Sequence, residues 1–224
     1  MVNLDPANEN CESDVDVKSL VRVDEVMERM QLGPNGAILY CMQFLEDNIE
    51  WLKGELRKYE NHYFLFDLPG QVELFTSHDS VRNIVQTMQK FPMQLCAVNL
   101  VDSHHCSDAG KFVAVLLMSL SCMLHLELPH VNALSKIDVI QSMGPVDFGL
   151  DFYTEVMDLD YLMSVLEERV APRYAALSRA LCGLVEDFGL VKVRGESMSV
   201  RGECNRSCTR GIQKIIRKLA NMCV

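Results

Sequence analysis

Three short apolar segments alternate with helix-like segments along this chain, and a polar residue follows each of them. The apolar segments and the polar residues after them are 63–66 with Asp67, 95–101 with Asp102, and 130–134 with Ser135. Apolar strands separated by helices are typical of a parallel sheet, because the crossover helices cover both of its faces. The pattern therefore predicts an α/β domain that binds its ligand beyond the carboxyl ends of the strands.

The segments between these strands carry apolar residues at helical spacing. The predicted helices cover residues 15–31, 36–59, 80–90, 111–126, 161–170 and 174–188. In the second of them, alternate steps of four and three make a narrow apolar seam through Ile38, Met42, Leu45, Ile49 and Leu52. Such a seam packs on a sheet or on another helix, and a helix of a second protomer is one candidate.

Charge is distributed unevenly along the 224 residues, whose net charge is −10. Residues 192–224 contain eight basic and two acidic groups, whereas the remainder contains 13 basic and 29 acidic groups. An acidic body disfavours nonspecific nucleic-acid binding, so no direct nucleic-acid partner is expected. We predict a domain over residues 1–190 and a basic tail over 191–224. The tail is either a solvated, partly disordered end or a segment that binds an acidic surface.

Membrane and secretory features are not expected. The longest apolar run, residues 112–124, is shorter than the roughly 20 residues that a transmembrane helix needs, so it predicts a buried helix. The residues after Met1 do not resemble a signal peptide. Nine cysteines in such a chain indicate reduced thiols of the cytosol or nucleus. Cys41, Cys96 and Cys122 lie within apolar patterns and are predicted to be core thiols.

The segment Asp67-Leu68-Pro69-Gly70-Gln71 carries the residue types that phosphate chemistry needs. Asp67 can hold Mg²⁺ directly or through water, and Gly70 lets a backbone N–H approach a terminal phosphate. Gln71 can orient an attacking water. The alternative interpretation is a strand-to-loop turn capped by the aspartate.

A second cluster, Ser135-Lys136-Ile137-Asp138, favours the nucleotide interpretation. Asp138 could accept hydrogen bonds from two guanine N–H groups, and the stem of Lys136 could lie across the base. The G-x-x-x-x-G-K-[ST] motif that normally cradles phosphates does not occur in the sequence. Each lost charge-assisted hydrogen bond is worth roughly 1.5–3 kcal/mol, so we expect impaired nucleotide affinity.

Together with a Gly33-Pro34-Asn35 turn, these motifs resemble the GPN-loop GTPases, and within them the GPN-loop GTPase 2 branch. The matching stretches are residues 2–8, 32–36, 63–74, 101–104, 134–138 and 151–156. The resemblance covers about residues 1–190 and implies a three-layer, P-loop NTPase-like, mostly parallel sheet flanked by helices. The first strand and the P-loop of that fold are expected to be missing, and the C-terminus diverges from it, as in an alternative transcript or an incomplete gene model.

The resemblance also implies roles for individual residues. Members of the family hydrolyse GTP with Mg²⁺ as dimers, and the loop formed by Gly33, Pro34 and Asn35 enters the partner's phosphate site, where Asn35 acts in trans. Asp5 would support Mg²⁺ and the attacking water. The family's D-x-P-G-Q element supplies Asp67, Gly70 and Gln71. Its guanine-binding element supplies Ser135, Lys136 and Asp138, with Ser135 in place of the more usual asparagine.

The partners and the location follow from the same resemblance. We expect a homodimer, or a heterodimer with another GPN-loop GTPase, that serves RNA polymerase assembly and nuclear import with RNA polymerase subunits or co-chaperones. The expected location is the cytoplasm, with shuttling to the nucleus. A non-catalytic dimerisation or adaptor fragment for an intact paralogue is the alternative function. A chain that does not fold stably is a third possibility.

Two further clusters have competing interpretations. Cys204 and Cys208 could form half of a zinc site, although no second pair stands at a suitable distance. The run His104-His105-Cys106 resembles a metal-ligand cluster, but a turn capped by Asp102 and Ser103 is the favoured interpretation.

Overall fold

The computed structural model describes residues 1–9, 11–59, 62–137, 159–169, 171–188 and 193–195. The chain forms two compact units, Met1–Gln94 and Leu95–Val224. Each unit contains a three-stranded parallel sheet with helices around it, which confirms the predicted α/β class. The predicted domain boundary at residues 190 and 191 lies outside the described residues and stays a prediction.

In the first unit, strand β1 (Val2–Asn3) lies between β2 (Val15–Asp16) and β3 (Phe66–Asp67). The helices of this unit are α1 (Val23–Met30), α2 (Pro34–Asp47), α3 (Ile49–Arg57), α4 (Glu73–Thr76) and α5 (Asp79–Met88). All three strands are parallel, and Asn3 stands opposite both Asp16 and Asp67. The side chains of Asn3, Asp16 and Asp67 therefore form one row across the carboxyl ends of the three strands.

The predicted helix over residues 15–31 is wrong for its first half. Val15 and Asp16 pair with β1 as a strand, and the helix α1 begins only at Val23. Val15 and Val17 are buried, and the side chain of Asp16 between them caps a 3₁₀ turn by accepting a hydrogen bond from the backbone N–H of Lys18. β-branched residues at a spacing of two fit a strand better than a helix.

The predicted helix over residues 36–59 is divided in two at Asn48. The side-chain amide of Asn48 donates a hydrogen bond of 2.8 Å to the carbonyl of Phe44, which competes with continuation of the helix. In the apolar seam, Met42, Leu45 and Leu52 are fully buried within the single chain. The middle of the seam therefore belongs to the chain's own core and is not open to a second protomer.

In the second unit, parallel strands follow the order β4 (Ala97–Asp102), β5 (His130–Ser135) and β6 (Val193–Gly195). Its described helices are α6 (Ala109–Leu126), α7 (Asp160–Arg169) and α8 (Ala175–Phe188). The core consists of apolar side chains of α6, such as Phe112 and Leu116, packed with Val101, Leu134 and Leu162. Asp108 is the N-cap of α6, and its carboxylate accepts a hydrogen bond of 2.9 Å from the N–H of Lys111.

A polar cluster is enclosed between this sheet and α6. The side-chain amide of Asn99 on β4 donates to the hydroxyl of Ser119 on α6 at 2.8 Å. The same amide donates to the side-chain oxygen of Asn132 on β5 at 2.9 Å. Ser119 and Asn132 are buried, and these bonds satisfy groups that would be costly to leave unpaired.

Helix α6 is long and apolar enough to cross a membrane by length and composition, but half of it is buried inside the protein. Core helices of soluble proteins pass the same test, so this is weak evidence for a membrane span. Six of the nine cysteines lie among the residues that the structure describes. Cys41 and Cys122 are buried as predicted, whereas Cys96, which precedes β4, is exposed, so its prediction as a core thiol is wrong.

Candidate nucleotide site

Two carboxylates lie at the ends of neighbouring parallel strands of the first unit: Asp67 is the last residue of β3, and Asp5 comes two residues after β1. The backbone N–H of Leu4 donates to the carbonyl of Asp67 at 2.8 Å, which fixes the ends of β1 and β3 against each other. The carboxylate of Asp5 accepts a hydrogen bond from the N–H of Ala7 at 2.9 Å. The carboxylate of Asp67 accepts one from the side-chain amide of Asn8 at 3.1 Å. Within the described part of the chain, each carboxylate keeps a second oxygen without a hydrogen bond.

The electrostatic environment of Asp67 favours a cation. Burial raises the pKa of Asp67, the hydrogen bond from Asn8 opposes that rise, and the negative charge of Asp5 adds to it. A divalent cation between the two carboxylates would offset both costs. Mg²⁺ takes oxygen ligands and is usually held by one or two carboxylates together with phosphates and waters. Among the described residues, no three acidic, histidine or cysteine side chains come together to bind a metal ion. The pair of carboxylates therefore suits an ion whose other ligands are phosphate and water.

Neighbouring polar residues hold this pair in position. Asn3 is buried, accepts a hydrogen bond of 3.1 Å from the N–H of Asp5 and donates one of 3.2 Å to Asp16. The ammonium group of Lys18 donates to the backbone carbonyl of Asn8. Sequence reasoning did not assign these roles to Asn3, Asn8 and Lys18. The sequence feature that could have indicated them is Asn3 between apolar residues of a short strand, since a buried side-chain amide needs polar partners nearby.

The turn formed by Gly33, Pro34 and Asn35 lies at the start of helix α2. Gly33 is the N-cap in an extended conformation and Pro34 is the first helical residue, a position where its missing N–H costs nothing. The side-chain amide of Gln71 donates to the side-chain oxygen of Asn35 at 2.9 Å. The structure thus brings two predicted catalytic residues together within one chain.

This hydrogen bond determines which part of Gln71 is available for chemistry. Its amide nitrogen is directed to Asn35, and among the described residues its carbonyl oxygen accepts no hydrogen bond, so that oxygen can accept one from a water. Next to it, a Cβ added to Gly70 would meet no atom within 4 Å. Packing within the chain therefore does not require glycine at this position, where a close approach by phosphate is predicted.

Two of the predicted guanine-binding residues lie at the end of β5 in the second unit: Ser135 is its last residue and Lys136 follows it. The hydroxyl of Ser135 donates to the carbonyl of Val101 at 3.1 Å. The ammonium group of Lys136 donates to the carboxylate of Asp102 at 2.7 Å, which places the charged end of the lysine on the neighbouring strand end. The third predicted residue, Asp138, lies outside the described residues, and so does the matching stretch 151–156.

Lys136 has a strained backbone. Its φ of 57° is in the left-handed region, which costs a residue other than glycine roughly 1–2 kcal/mol. The hydroxyl of Ser103 supports this conformation by donating to the carbonyl of Lys136 at 2.7 Å. Such strain is frequent at binding sites, where the surrounding structure holds it in place.

The carboxylate of Asp102 caps the turn after β4. It accepts a hydrogen bond of 2.9 Å from the N–H of His104 as well as the one from Lys136. Partial burial acts to raise the pKa of Asp102, but these two hydrogen bonds outweigh burial and the pKa is lowered. Cys106 is buried, which raises the pKa of its thiol to about 12. The cap by Asp102 is therefore confirmed, whereas the hydroxyl of Ser103 bonds to the carbonyl of Lys136 instead of capping the turn. Cys204 and Cys208 lie outside the described residues.

Comparisons with known proteins point to one family. A family model described as a conserved hypothetical ATP-binding protein matches residues 1–218. GPN-loop GTPase 2 of Danio rerio is 50% identical over 194 residues, which cover 85% of this chain and 62% of the relative. GPN-loop GTPase QQT1 of Arabidopsis thaliana is 50% identical over 196 residues, with 85% and 66% covered. The chain thus spans less than two thirds of the length of these relatives.

A solved structure agrees with these relatives. A GTPase from Pyrococcus abyssi, crystallised in its apo form, superimposes with a TM-score of 0.64 at 28% sequence identity. The match covers 88% of this chain and 77% of that one. The likeness supports a P-loop GTPase fold for the described α/β units. From its sequence and its fold, the chain belongs to the GPN-loop GTPase family, in the GPN-loop GTPase 2 branch.

Proposed function

We propose that this protein binds GTP with Mg²⁺ and hydrolyses it. The observation that carries the proposal is the placement of Asp5 and Asp67 at the ends of neighbouring parallel strands, each with an oxygen free of hydrogen bonds in the described structure. In this arrangement Asp67 would hold Mg²⁺ directly or through water, and Asp5 would support the ion and the attacking water. Gln71 orients that water with its side-chain oxygen. The ion would neutralise charge that develops on the phosphates.

For the guanine end, we propose that Lys136 lies along the base and that Ser135 and Asp138 contact its edge. The ion pair of Lys136 with Asp102 supports the first part, because it holds the charged end of the lysine at the end of the neighbouring strand. We also propose that the 224-residue chain binds GTP weakly. Its sequence contains no glycine-rich loop with a lysine for the terminal phosphates, and each missing charge-assisted bond costs roughly 1.5–3 kcal/mol.

The test is a titration of the full chain with a fluorescent GTP analogue, with and without Mg²⁺. We expect Mg²⁺ to raise the affinity of the parent chain for the GTP analogue. In the presence of Mg²⁺, Asp67→Asn should bind the analogue about tenfold more weakly or worse, because one charged ligand of the ion is removed. Asp24→Asn, at an exposed position in the first turn of α1, is the matched control and should leave binding unchanged. GTP binding that is absent at millimolar concentration, or equal in Asp67→Asn, would refute the proposal.

We propose further that the protein works as a dimer, with itself or with another GPN-loop GTPase, and that Asn35 acts at the partner's phosphate site. Gly33, Pro34 and Asn35 are exposed, which supports delivery of this loop to another subunit. The same exposure supports the second candidate function, a non-catalytic adaptor for an intact paralogue. In a confirmed heterodimer, Asn35→Ala should slow GTP hydrolysis by the partner. An unchanged rate would contradict the trans role.

For the cellular role, we propose assembly and nuclear import of RNA polymerase with its subunits or co-chaperones, in the cytoplasm with shuttling to the nucleus. The support is membership of the family rather than any contact in the structure. Depletion of the protein should leave an RNA polymerase subunit in the cytoplasm, and re-expression should restore its nuclear signal. A subunit that stays nuclear after depletion would contradict this role.

A further inference from the structure

Lys18 brings a positive charge to the carboxyl ends of the strands in the first unit. It lies in the 3₁₀ turn after β2, and its backbone N–H donates to the carboxylate of Asp16 at 2.9 Å. The same carboxylate accepts a hydrogen bond from the buried side chain of Asn3 on β1. The backbone of Lys18 is therefore fixed at the end of the sheet where Asp5 and Asp67 lie.

The side chain of Lys18 reaches from that turn to the loop after β1. Its ammonium group donates to the backbone carbonyl of Asn8, and the side-chain amide of Asn8 donates to the carboxylate of Asp67 at 3.1 Å. One residue thus separates the ammonium from the carboxylate. Burial raises the pKa of the Cys11 thiol, the charge of Asp67 adds to the rise and that of Lys18 opposes it, so the three groups lie close together.

The positive charge of Lys18 is not used within the described part of the chain. Among those residues its ammonium group makes one hydrogen bond, to a neutral carbonyl, and no ion pair. Lys53, Lys58 and Lys136, in contrast, each pair with a carboxylate. An ammonium group has three N–H donors, so two of them are available to an anion. Lys18 is half-buried, and a charge pair there is screened less than one in open solvent.

The surrounding charges indicate what Lys18 would contribute to nucleotide binding. The carboxylates of Asp5, Asp16 and Asp67 lie at this end of the sheet, and they would repel a chain of phosphates. Mg²⁺ at Asp5 and Asp67 would offset part of this repulsion. Among the described residues that bond to Asn8 or Asp67, Lys18 supplies positive charge to offset the rest. An ammonium group binds phosphate as a point charge, which demands little of its orientation.

We propose that Lys18 is a phosphate-binding residue whose ammonium group contacts the terminal phosphates of GTP beside the magnesium ion. The inference rests on the proposed function and adds a cation that the sequence motifs do not indicate. The hydrogen bond to Asn8 holds the ammonium group in place, and its remaining N–H groups are available to phosphate oxygens.

Titration of the full chain with a fluorescent GTP analogue and Mg²⁺ tests this contact. Lys18→Gln should bind the analogue roughly ten- to hundredfold more weakly, which corresponds to one charge-assisted hydrogen bond. Lys18→Arg keeps the charge and should recover most of the affinity. The melting temperature of both variants should stay within a few degrees of the parent, which shows that folding is retained.

Lys58→Gln is the matched control, because it makes the same change of net charge in the same unit. Lys58 precedes Tyr59, whose hydroxyl donates to the carbonyl of Asp14 just before β2. Lys58 therefore lies on the side where the strands begin, away from Asp67. This variant should bind the analogue like the parent, and a loss equal to that of Lys18→Gln would attribute the effect to net charge and overturn the proposal.

A double-mutant cycle separates direct contact from positioning. Asn8→Ala removes the hydrogen bond to Asp67 but keeps the backbone carbonyl that Lys18 contacts. In the Asn8→Ala background, Lys18→Gln should weaken binding by about the same factor as in the parent, because a direct contact does not depend on the Asn8 amide. The absence of a further loss would mean that Lys18 acts only through Asn8, and it would overturn the proposal.

Inorganic tripolyphosphate with Mg²⁺, used as a competitor, tests whether the lost contact is to phosphate. Its inhibition constant should rise in Lys18→Gln by a factor similar to that for the GTP analogue. An unchanged inhibition constant, or equal affinity of Lys18→Gln and the parent for the analogue, would overturn the role of Lys18. If the parent still binds the analogue and Mg²⁺ strengthens that binding, the proposed GTP site stands without Lys18. A parent that binds no analogue would refute the GTP site and this contact with it.

Discussion

The side-chain nitrogen of Gln71 donates a hydrogen bond of 2.9 Å to the side-chain oxygen of Asn35, 36 residues earlier in the chain. The bond joins the loop after β3 to the first turn of α2. Because it is exposed and competes with water, it contributes at most about 1 kcal/mol to stability. Its effect is on orientation, since it determines which atom of the Gln71 amide points away from the protein.

Replacing Asn35 should therefore change Gln71 more than it changes the fold. Asn35→Ala removes the acceptor, and we expect the side-chain amide signals of Gln71 to shift in a ¹⁵N-correlated NMR spectrum. Asn35→Asp keeps an acceptor oxygen and should retain the hydrogen bond. The melting temperature of both variants should stay within a few degrees of the parent. Identical Gln71 signals in Asn35→Ala and the parent would show that the bond is not formed in solution.

Stability should fall as the pH is lowered through the range where exposed histidines titrate. Both ring nitrogens of His130 are shielded from solvent, and burial lowers its pKa, partly offset by the side chain of Asn132. The unfolded chain therefore takes up a proton near pH 6.5, before the folded chain does, and stability present above that pH is lost below it.

Urea unfolding between pH 5.5 and 7.5 measures this effect. His130→Gln should be less sensitive to pH over that range than the parent, because the buried titrating group is gone. His62→Gln is the matched control, since it changes an exposed histidine. Equal pH dependence in the parent and His130→Gln would contradict the prediction.

The stability of the second unit should depend strongly on the aromatic ring of Phe112. Phe112 on α6 is fully buried, and Phe112→Ala should destabilise the protein by about 3–5 kcal/mol through lost burial and a cavity. Met118, on the same helix, is 39% exposed, and Met118→Ala should cost about 0.5 kcal/mol or less. Chemical denaturation of both variants checks the contrast, and similar losses would argue against the described burial of α6.

The left-handed backbone of Lys136 predicts a difference between two substitutions. Lys136→Ala and Lys136→Gly both remove the ion pair with Asp102, but only glycine adopts a φ of 57° without steric cost. Lys136→Gly should therefore be the more stable of the two by about 1 kcal/mol. Thermal unfolding of the pair measures the strain directly. A less stable glycine variant would mean that no strain is released.

The sequence predicts the elements best where a segment is long and its period is unambiguous. The bounds of β4, β5, α5 and α6 lie within about two residues of the predictions. The aromatic run 63–66 predicted a full strand, but only Phe66 and Asp67 pair with β1, and Tyr63 is largely exposed. A short apolar run does not reveal which of its residues finds a partner strand.

Periodicity also does not determine which side of a helix faces the core. On α8 it identifies the apolar stripe at 174, 177, 181 and 184, but the same spacing suits a core and a partner equally. Only the packing of Cys182 and Val185 shows which side faces the unit. The break at Asn48 was missed for a related reason, because an asparagine on the polar side of a seam does not interrupt the period.

Within the candidate site, residue types and strand ends could be predicted, and mutual contacts could not. Asp67 and Ser135 were each identified because ligands bind beyond the carboxyl ends of parallel strands. The bond between Gln71 and Asn35, and the support of Asp67 by Asn8, depend on loops that are far apart in the chain. Local pattern carries no information about such distances.

The enclosed amides of Asn99 and Asn132 have a consequence for how the second unit reaches its native state. Asn99 bonds to Asn132 only when β4 and β5 pair in the native alignment, with Asn99 opposite Asn132. A slip of β4 by one residue would turn Asn99 to the other side of the sheet, away from Asn132, and leave Ser119 without its partner. Purely apolar strands could pair in several registers at similar free energy. Here only the native register of β4 and β5 satisfies all three polar side chains, so the cluster disfavours the other registers.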